Sequence, residues 1–196
     1  MKIDFTGKKA IVCGGSRGIG RAIALGFAAC GGVDLLVNNA SAFGMSDDDK
    51  GWGSSLAVDM MAIVHATQEA YPALKQVQGS VVNISSISAL HSAARQPPYG
   101  AIKAAVIHYT VTQAAMYAKD RVRVNCIAPG SIEFPGGVWD RVKTANPKFY
   151  NEILASIPFG RMGHAEEVAN VALFIASPLA AWVTGQTISV AVGQGL

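Results

Sequence analysis

Five short segments rich in β-branched residues alternate along the chain with longer, alanine-rich segments. The short ones are KAIVCGG (Lys9–Gly15), DLLVNN (Asp34–Asn39), SVVNISS (Ser80–Ser86), RVRVNCIAPG (Arg121–Gly130) and GQTISVAV (Gly185–Val192). Their near-continuous apolar runs read as strands covered on both faces. Helices are expected between them at about Gly18–Cys30, Trp52–Lys75, Pro98–Lys119 and Ala165–Ala176. Such alternation predicts an α/β fold: a doubly wound parallel sheet with helices on both faces. No repeat or low-complexity linker interrupts the pattern, so residues 1–196 read as one domain.

The bulk numbers agree. At 196 residues, 51% hydrophobic and 15% charged, the chain can bury a sizeable core. A net charge of only +3, without a basic run, argues against nucleic acid as a partner. Charges within MKIDFTGKKAIVCGG leave no signal-peptide core, and no apolar run nears the ~20 residues of a membrane span. Cys13, Cys30 and Cys126 are scattered and odd in number, which predicts reduced thiols in a cytoplasmic protein. His65, His91, His108 and His164 share no ligand spacing, and SDDDK (Ser46–Lys50) reads as a solvated turn, so no metal is expected.

The segment YGAIKAAVIHYTVTQAAMYAKD is apolar around most of its circumference, at Ile102, Ala105, Val106, Tyr109, Val111, Ala114, Ala115 and Tyr117. A helix of that kind is expected to be covered on more than one side, by its own sheet and by a second subunit, unless it is simply sunk within its own domain.

Two local patterns carry chemistry. In CGGSRGIG, Gly14, Gly18 and Gly20 lie between the first strand and the first helix. Glycine there allows a tight turn and a close approach of backbone to pyrophosphate, which the helix N-terminus attracts. In NISSISALHSAARQPPYGAIK, Tyr99 and Lys103 stand four apart and share one helix face, while Pro97 and Pro98 favour helix initiation just before them. Ser86 ends a strand, where ligands of an open α/β sheet gather. A free tyrosine ionises near pH ~10, and a neighbouring ammonium lowers that by ~1–3 units. Tyr99 would then exchange a proton with a carbonyl or alcohol oxygen that Ser86 holds, and Lys103 would also reach the ribose hydroxyls.

Together, GGSRGIG, LLVNNA, VVNISS, YGAIKAA, RVRVNCIAPG and WVTGQTISV, in that order, strongly resemble the short-chain dehydrogenase/reductase family. Ser86 precedes Tyr99 by 13 residues, also the family spacing. The resemblance implies a Rossmann-type subunit that uses NAD or NADP to interconvert a secondary alcohol and a ketone, and a homo-oligomer, tetramer or dimer. It assigns catalysis to Ser86, Tyr99 and Lys103. It assigns the cofactor to Gly14, Ser16, Arg17, Gly18, Ile19, Gly20, Asn39, Ala40, Tyr99, Lys103, Pro129, Gly130 and Ile132. The texture is similar to 3-oxoacyl-carrier-protein reductases and sugar dehydrogenases.

Several positions depart from the family. Asp59 replaces an Asn that supports a water relay to the lysine, Ser41 replaces a glycine, Cys13 a threonine, and Phe134 a threonine near the cofactor. The ending SVAVGQGL lacks Asp-Gly-Gly. These departures motivate a second reading, a non-catalytic binding or scaffold oligomer.

The stretch AACGGVDLLVNNAS is a seam. By resemblance, two further strand–helix units, about fifty residues, should intervene between Ala28 and Val33. Without them LLVNN would be an apolar sheet edge, so a segment omitted there is favoured over a true deletion. The residue that distinguishes NAD from NADP falls in that gap. Asp34, about twenty residues past Gly14, begins a strand and is not that residue. Finally, Glu133–Met162 holds Phe134, Trp139, Phe149, Tyr150 and Ile153; it caps the substrate in the family, or simply packs helix on helix.

Overall fold

A computed structural model describes residues 3–27 and 34–195. Five parallel strands form one sheet in the order β1-β2-β3-β4-β5: β1 (Ala10–Cys13), β2 (Leu35–Asn38), β3 (Ser80–Ile84), β4 (Arg123–Pro129) and β5 (Thr187–Val190). Each was expected from its apolar run, and β2 and β3 are buried at every position.

Alternation sends odd and even residues to opposite faces. On one face Leu35, Val37, Val82, Ile84 and Ile127 pack against α1 (Gly18–Phe27) and α7 (Ala165–Ala176) through Ile23, Val168, Ala172 and Ile175. On the other, Leu36, Val81 and Val124 meet α3 (Ala62–Val77) and α4 (Pro97–Tyr117) through Leu74, Ala114 and Tyr117. The two-sided covering is the one expected.

The helix expected from Trp52 begins earlier, at α2 (Asp49–Ser54), because Asp48 caps it by accepting the Gly51 N–H at 2.7 Å. It then runs through a π-helical segment, Ser55–Met61, into α3. The start of α4 at Pro97 fits the tolerance of the first helical turn for proline. Glu133–Met162 contains α5 (Val138–Ala145) and α6 (Pro147–Ala155), whose Trp139, Val142 and Ile153 pack with Tyr150, Ile157 and Met162. Much of that aromatic content is therefore helix-on-helix packing.

The seam at Ala28–Val33, with Cys30, lies outside the described residues. The edge expectation attached to it needs correction. β2 pairs with β1 on one side and β3 on the other, so LLVN is interior; among the described residues β1 and β5 are the edge strands, and Ile11 of β1 is 44% exposed. Chain order did not reveal that β1 is the neighbour of β2. Helix placement points the same way. The right-handed crossover rule carries β2–α3–β3–α4–β4 across the sheet in one direction. Because α1 lies on the opposite face, a right-handed crossover through it leads off the β1 edge, where further strands would fit.

A polar layer runs inside the α3–α4 side. Asn38 Nδ2 donates to Asn83 Oδ1 at 2.9 Å and Thr67 Oγ1 at 3.1 Å, and Asn83 Nδ2 donates to Thr110 Oγ1 at 2.9 Å and Gln113 Oε1 at 3.1 Å. All five residues are buried, so each group depends on the others. Asn83→Ala leaves several of them unpaired and should destabilise the fold by about 2–4 kcal/mol, read from urea unfolding midpoints.

Candidate active site

The expected residues converge at the carboxyl ends of four adjacent strands. Gly14 follows β1, Asn39 and Ala40 follow β2, Ser86 stands just beyond β3, and Pro129, Gly130 and Ile132 end or follow β4. Parallel pairing puts these ends side by side, with Cys13 opposite Asn38, Asn38 opposite Asn83, and Asn83 opposite Cys126. Asp34 lies at the other end of the sheet, where it binds Lys8 Nζ at 2.8 Å and accepts the Lys9 N–H at 3.1 Å.

The glycine turn is tight. Gly14 has φ +72°, a left-handed conformation suited to glycine, and Asn39 Nδ2 donates to its carbonyl at 3.2 Å. A Cβ at Gly20 would strike the Gly14 carbonyl, which explains the need for glycine where the helix passes so close. Ser16 and Arg17 are exposed, and Ile19 packs into the α1–α7 core. Such a turn, opening onto a helix N-terminus, fits a dinucleotide pyrophosphate. Phe134 narrows it, because a Cβ on Gly18 would run into the Phe134 ring. The aromatic side chain that replaces threonine thus stands against the first residue of α1.

Tyr99 and Lys103 occupy the first turns of α4, both buried. Ser86 caps the short turn Ile87–Ala89 by accepting the Ser88 N–H at 3.1 Å, and its hydroxyl lies near enough to Tyr99 to act on its ionisation. The neighbouring Ser85 hydroxyl donates to the Lys103 carbonyl at 2.8 Å, fixing α4 to the end of β3. The serine–tyrosine–lysine set predicted from spacing is therefore assembled in one place.

Its electrostatics differ from the expectation. Lys103 Nζ donates to the Ile84 carbonyl at 2.9 Å and pairs with Asp59 Oδ1 at 3.1 Å, with both side chains almost wholly buried. Burial lowers the affinity of Lys103 for its proton, and Asp59 opposes that effect. Tyr99 is pushed up, not down: burial is the main cause, Asp59 adds to it, and the Ser86 hydroxyl acts the other way. The expected acidifying action of Lys103 does not prevail: burial of the phenol is the main cause of the rise, and the Asp59 carboxylate adds to it.

Two contributors were not legible in the sequence. Phe43 lies over Tyr99, ring centroids 4.4 Å apart. It adopts φ +56°, unusual for an aromatic residue, in a loop whose Ser41 hydroxyl accepts the Phe43 N–H at 3.2 Å. Only the serine replacing a glycine before it hinted at a reshaped loop. The second is Gln194, in the altered C-terminus. Its Oε1 accepts the Ser131 N–H and its Nε2 donates to Ser131 Oγ, both at 2.9 Å, bracing the segment between Gly130 and Ile132. Ile132 is anchored by a bridge to Gly163.

Among the described residues there is no cluster suited to a metal ion and no helix long and apolar enough to cross a membrane. Cys13 and Cys126 are free thiols.

A family model described as enoyl-(acyl carrier protein) reductase matches residues 27–194. Isoepoxydon dehydrogenase patN of Aspergillus clavatus is 36% identical over 162 residues, covering 82% of this chain and 62% of that protein. The 3-oxoacyl-(acyl-carrier-protein) reductase FabG of Thermotoga maritima is 38% identical over 168 residues, covering 82% of this chain and 65% of its own length. The chain thus spans less than two thirds of these curated relatives. Among solved structures, Cj0485 dehydrogenase superposes with a TM-score of 0.90 at 25% identity, covering 100% of this chain and 99% of that one. A 7α-hydroxysteroid dehydrogenase complexed with NADH and 7-oxo glycochenodeoxycholic acid gives 0.85 at 25% identity, covering 97% and 95%. On the breadth of these matches, the chain belongs to the short-chain dehydrogenase/reductase family.

Proposed function

We propose that the protein is an NAD- or NADP-dependent oxidoreductase that interconverts a secondary alcohol and a ketone. The observation that carries this reading is the convergence of Ser86, Tyr99 and Lys103 beside a glycine turn at the carboxyl end of the sheet. When bound, the nicotinamide cofactor supplies or accepts the hydride. Gly14, Ser16, Arg17, Gly18, Ile19 and Gly20 would hold its pyrophosphate, Asn39 and Ala40 its adenosine ribose, and Pro129, Gly130 and Ile132 its nicotinamide. Lys103 would hold the ribose hydroxyls next to Tyr99. Ser86 positions the carbonyl oxygen by a hydrogen bond, and Tyr99 gives that oxygen its proton in reduction or takes it in oxidation. Free thiols fit a cytoplasmic protein, and exposed Val111 and Met116 on α4 fit a homo-oligomer.

A second reading, a binding oligomer without turnover, is favoured by one observation: Phe134 shields Gly18. Tyr99→Phe removes the proton donor and should lower carbonyl reduction about 10²–10⁴-fold, measured on 3-oxoacyl thioesters and cyclic ketones, with NADH binding retained. Absence of turnover by the unaltered protein across that panel would support the second reading. Phe134→Ala uncovers the turn and should tighten NADH binding about 3–10-fold in a fluorescence titration; weaker binding would show that the ring assists the cofactor.

A further inference from the structure

Asp59 sits in the π-helical segment ahead of α3, a local widening of the helix often found at functional sites. It is fully buried, and its two carboxylate oxygens have different partners. Oδ1 faces the Lys103 ammonium at 3.1 Å, and Oδ2 accepts the Ala42 N–H at 3.2 Å. The second bond ties Asp59 to the loop that carries Phe43, so carboxylate, ammonium and the ring over Tyr99 form one connected unit. Lys103 Nζ lies 5.5 Å from the centre of the Tyr99 ring, within range to influence the phenol strongly if its charge were uncompensated.

We propose that Asp59 is a positioning residue that acts through Lys103: by pairing with the buried ammonium it withholds that charge from Tyr99 and keeps the phenol protonated. This rests on the oxidoreductase reading for its consequence, but not for its physical content. Around Tyr99 the charged and titratable groups are Asp59 from the π-helical segment, Lys103 from the same helix, and Cys126 from β4, with the Ser86 hydroxyl beyond β3. Cys126 is a buried thiol pushed up to about 11, chiefly by burial, so it stays neutral beside Lys103. Burial and Asp59 both oppose the phenolate.

Asp59→Asn preserves shape and removes the charge. Tyrosinate formation is read from the ultraviolet difference spectrum, each protein being compared with its Tyr99→Phe counterpart so that only Tyr99 is counted. The Tyr99 midpoint should fall by about one pH unit or more in Asp59→Asn, a tenfold change in its ionisation constant. An unchanged or higher midpoint in a folded Asp59→Asn protein overturns the proposal. If that variant does not fold, Asp59→Asn/Lys103→Met removes both charges and should leave the midpoint within about half a unit of the parent; a shift of a unit or more overturns it. The absorbance titration needs no turnover. A shifted midpoint without activity on any substrate would therefore refute the oxidoreductase reading and leave the role of Asp59 standing.

Discussion

The buried pair between Lys103 and Asp59 holds the active end of the molecule together. Neither charge could sit in that interior alone, since an unpaired buried ion costs several kcal/mol even after relaxation, on the order of what a whole domain retains as net stability. Each therefore needs the other, and through them four segments become interdependent. Lys103 reaches the last carbonyl of β3, Asp59 reaches the loop after β2, and the helices that carry them are brought into register. The widened helical turn around Asp59 is where the carboxylate is admitted.

Around this pair the site is assembled from strand ends, which are rigid, and from the connections that leave them, which are where it departs from its relatives. The glycine turn keeps the close contacts that a pyrophosphate-binding turn needs, while Phe134 and Phe43 place aromatic rings against Gly18 and Tyr99. Both rings lie on loops. These rings thus alter what surrounds the reacting groups, while the strands that position them stay in place.

Much of this was legible in the sequence because it rests on short-range patterns. Strand runs, the glycine spacing, and the four-residue step from Tyr99 to Lys103 each depend on neighbours along the chain, so five strands and the proximity of Ser86, Tyr99 and Lys103 could be anticipated before any coordinates. Contacts between distant segments left no such signal. Asp59 could be recognised as an unusual residue, but its direct bond to Lys103 depends on how α4 lies against the π-helical segment. The identity of the edge strand was misjudged for the same reason, because strand order in a parallel sheet is a property of crossovers and not of sequence order. Phe134 was visible as a lost hydroxyl and not as a ring resting on Gly18.

The buried asparagines have a consequence for how the strands find one another. Asn38 and Asn83 are direct partners across β2 and β3, and both project to the side where Thr67, Thr110 and Gln113 wait for them. Were β3 to slip by one residue, every side chain would change faces, and Asn83 would enter the apolar layer of Val37, Ile127 and Val168. Its amide would find no partner there, while Val82 would be driven among the stranded polar groups. Apolar strands such as SVVNI tolerate misalignment when valine replaces valine. One amide on each of two adjacent strands removes that tolerance, so the network acts as an alignment key that favours the native pairing once α3 and α4 pack on the sheet.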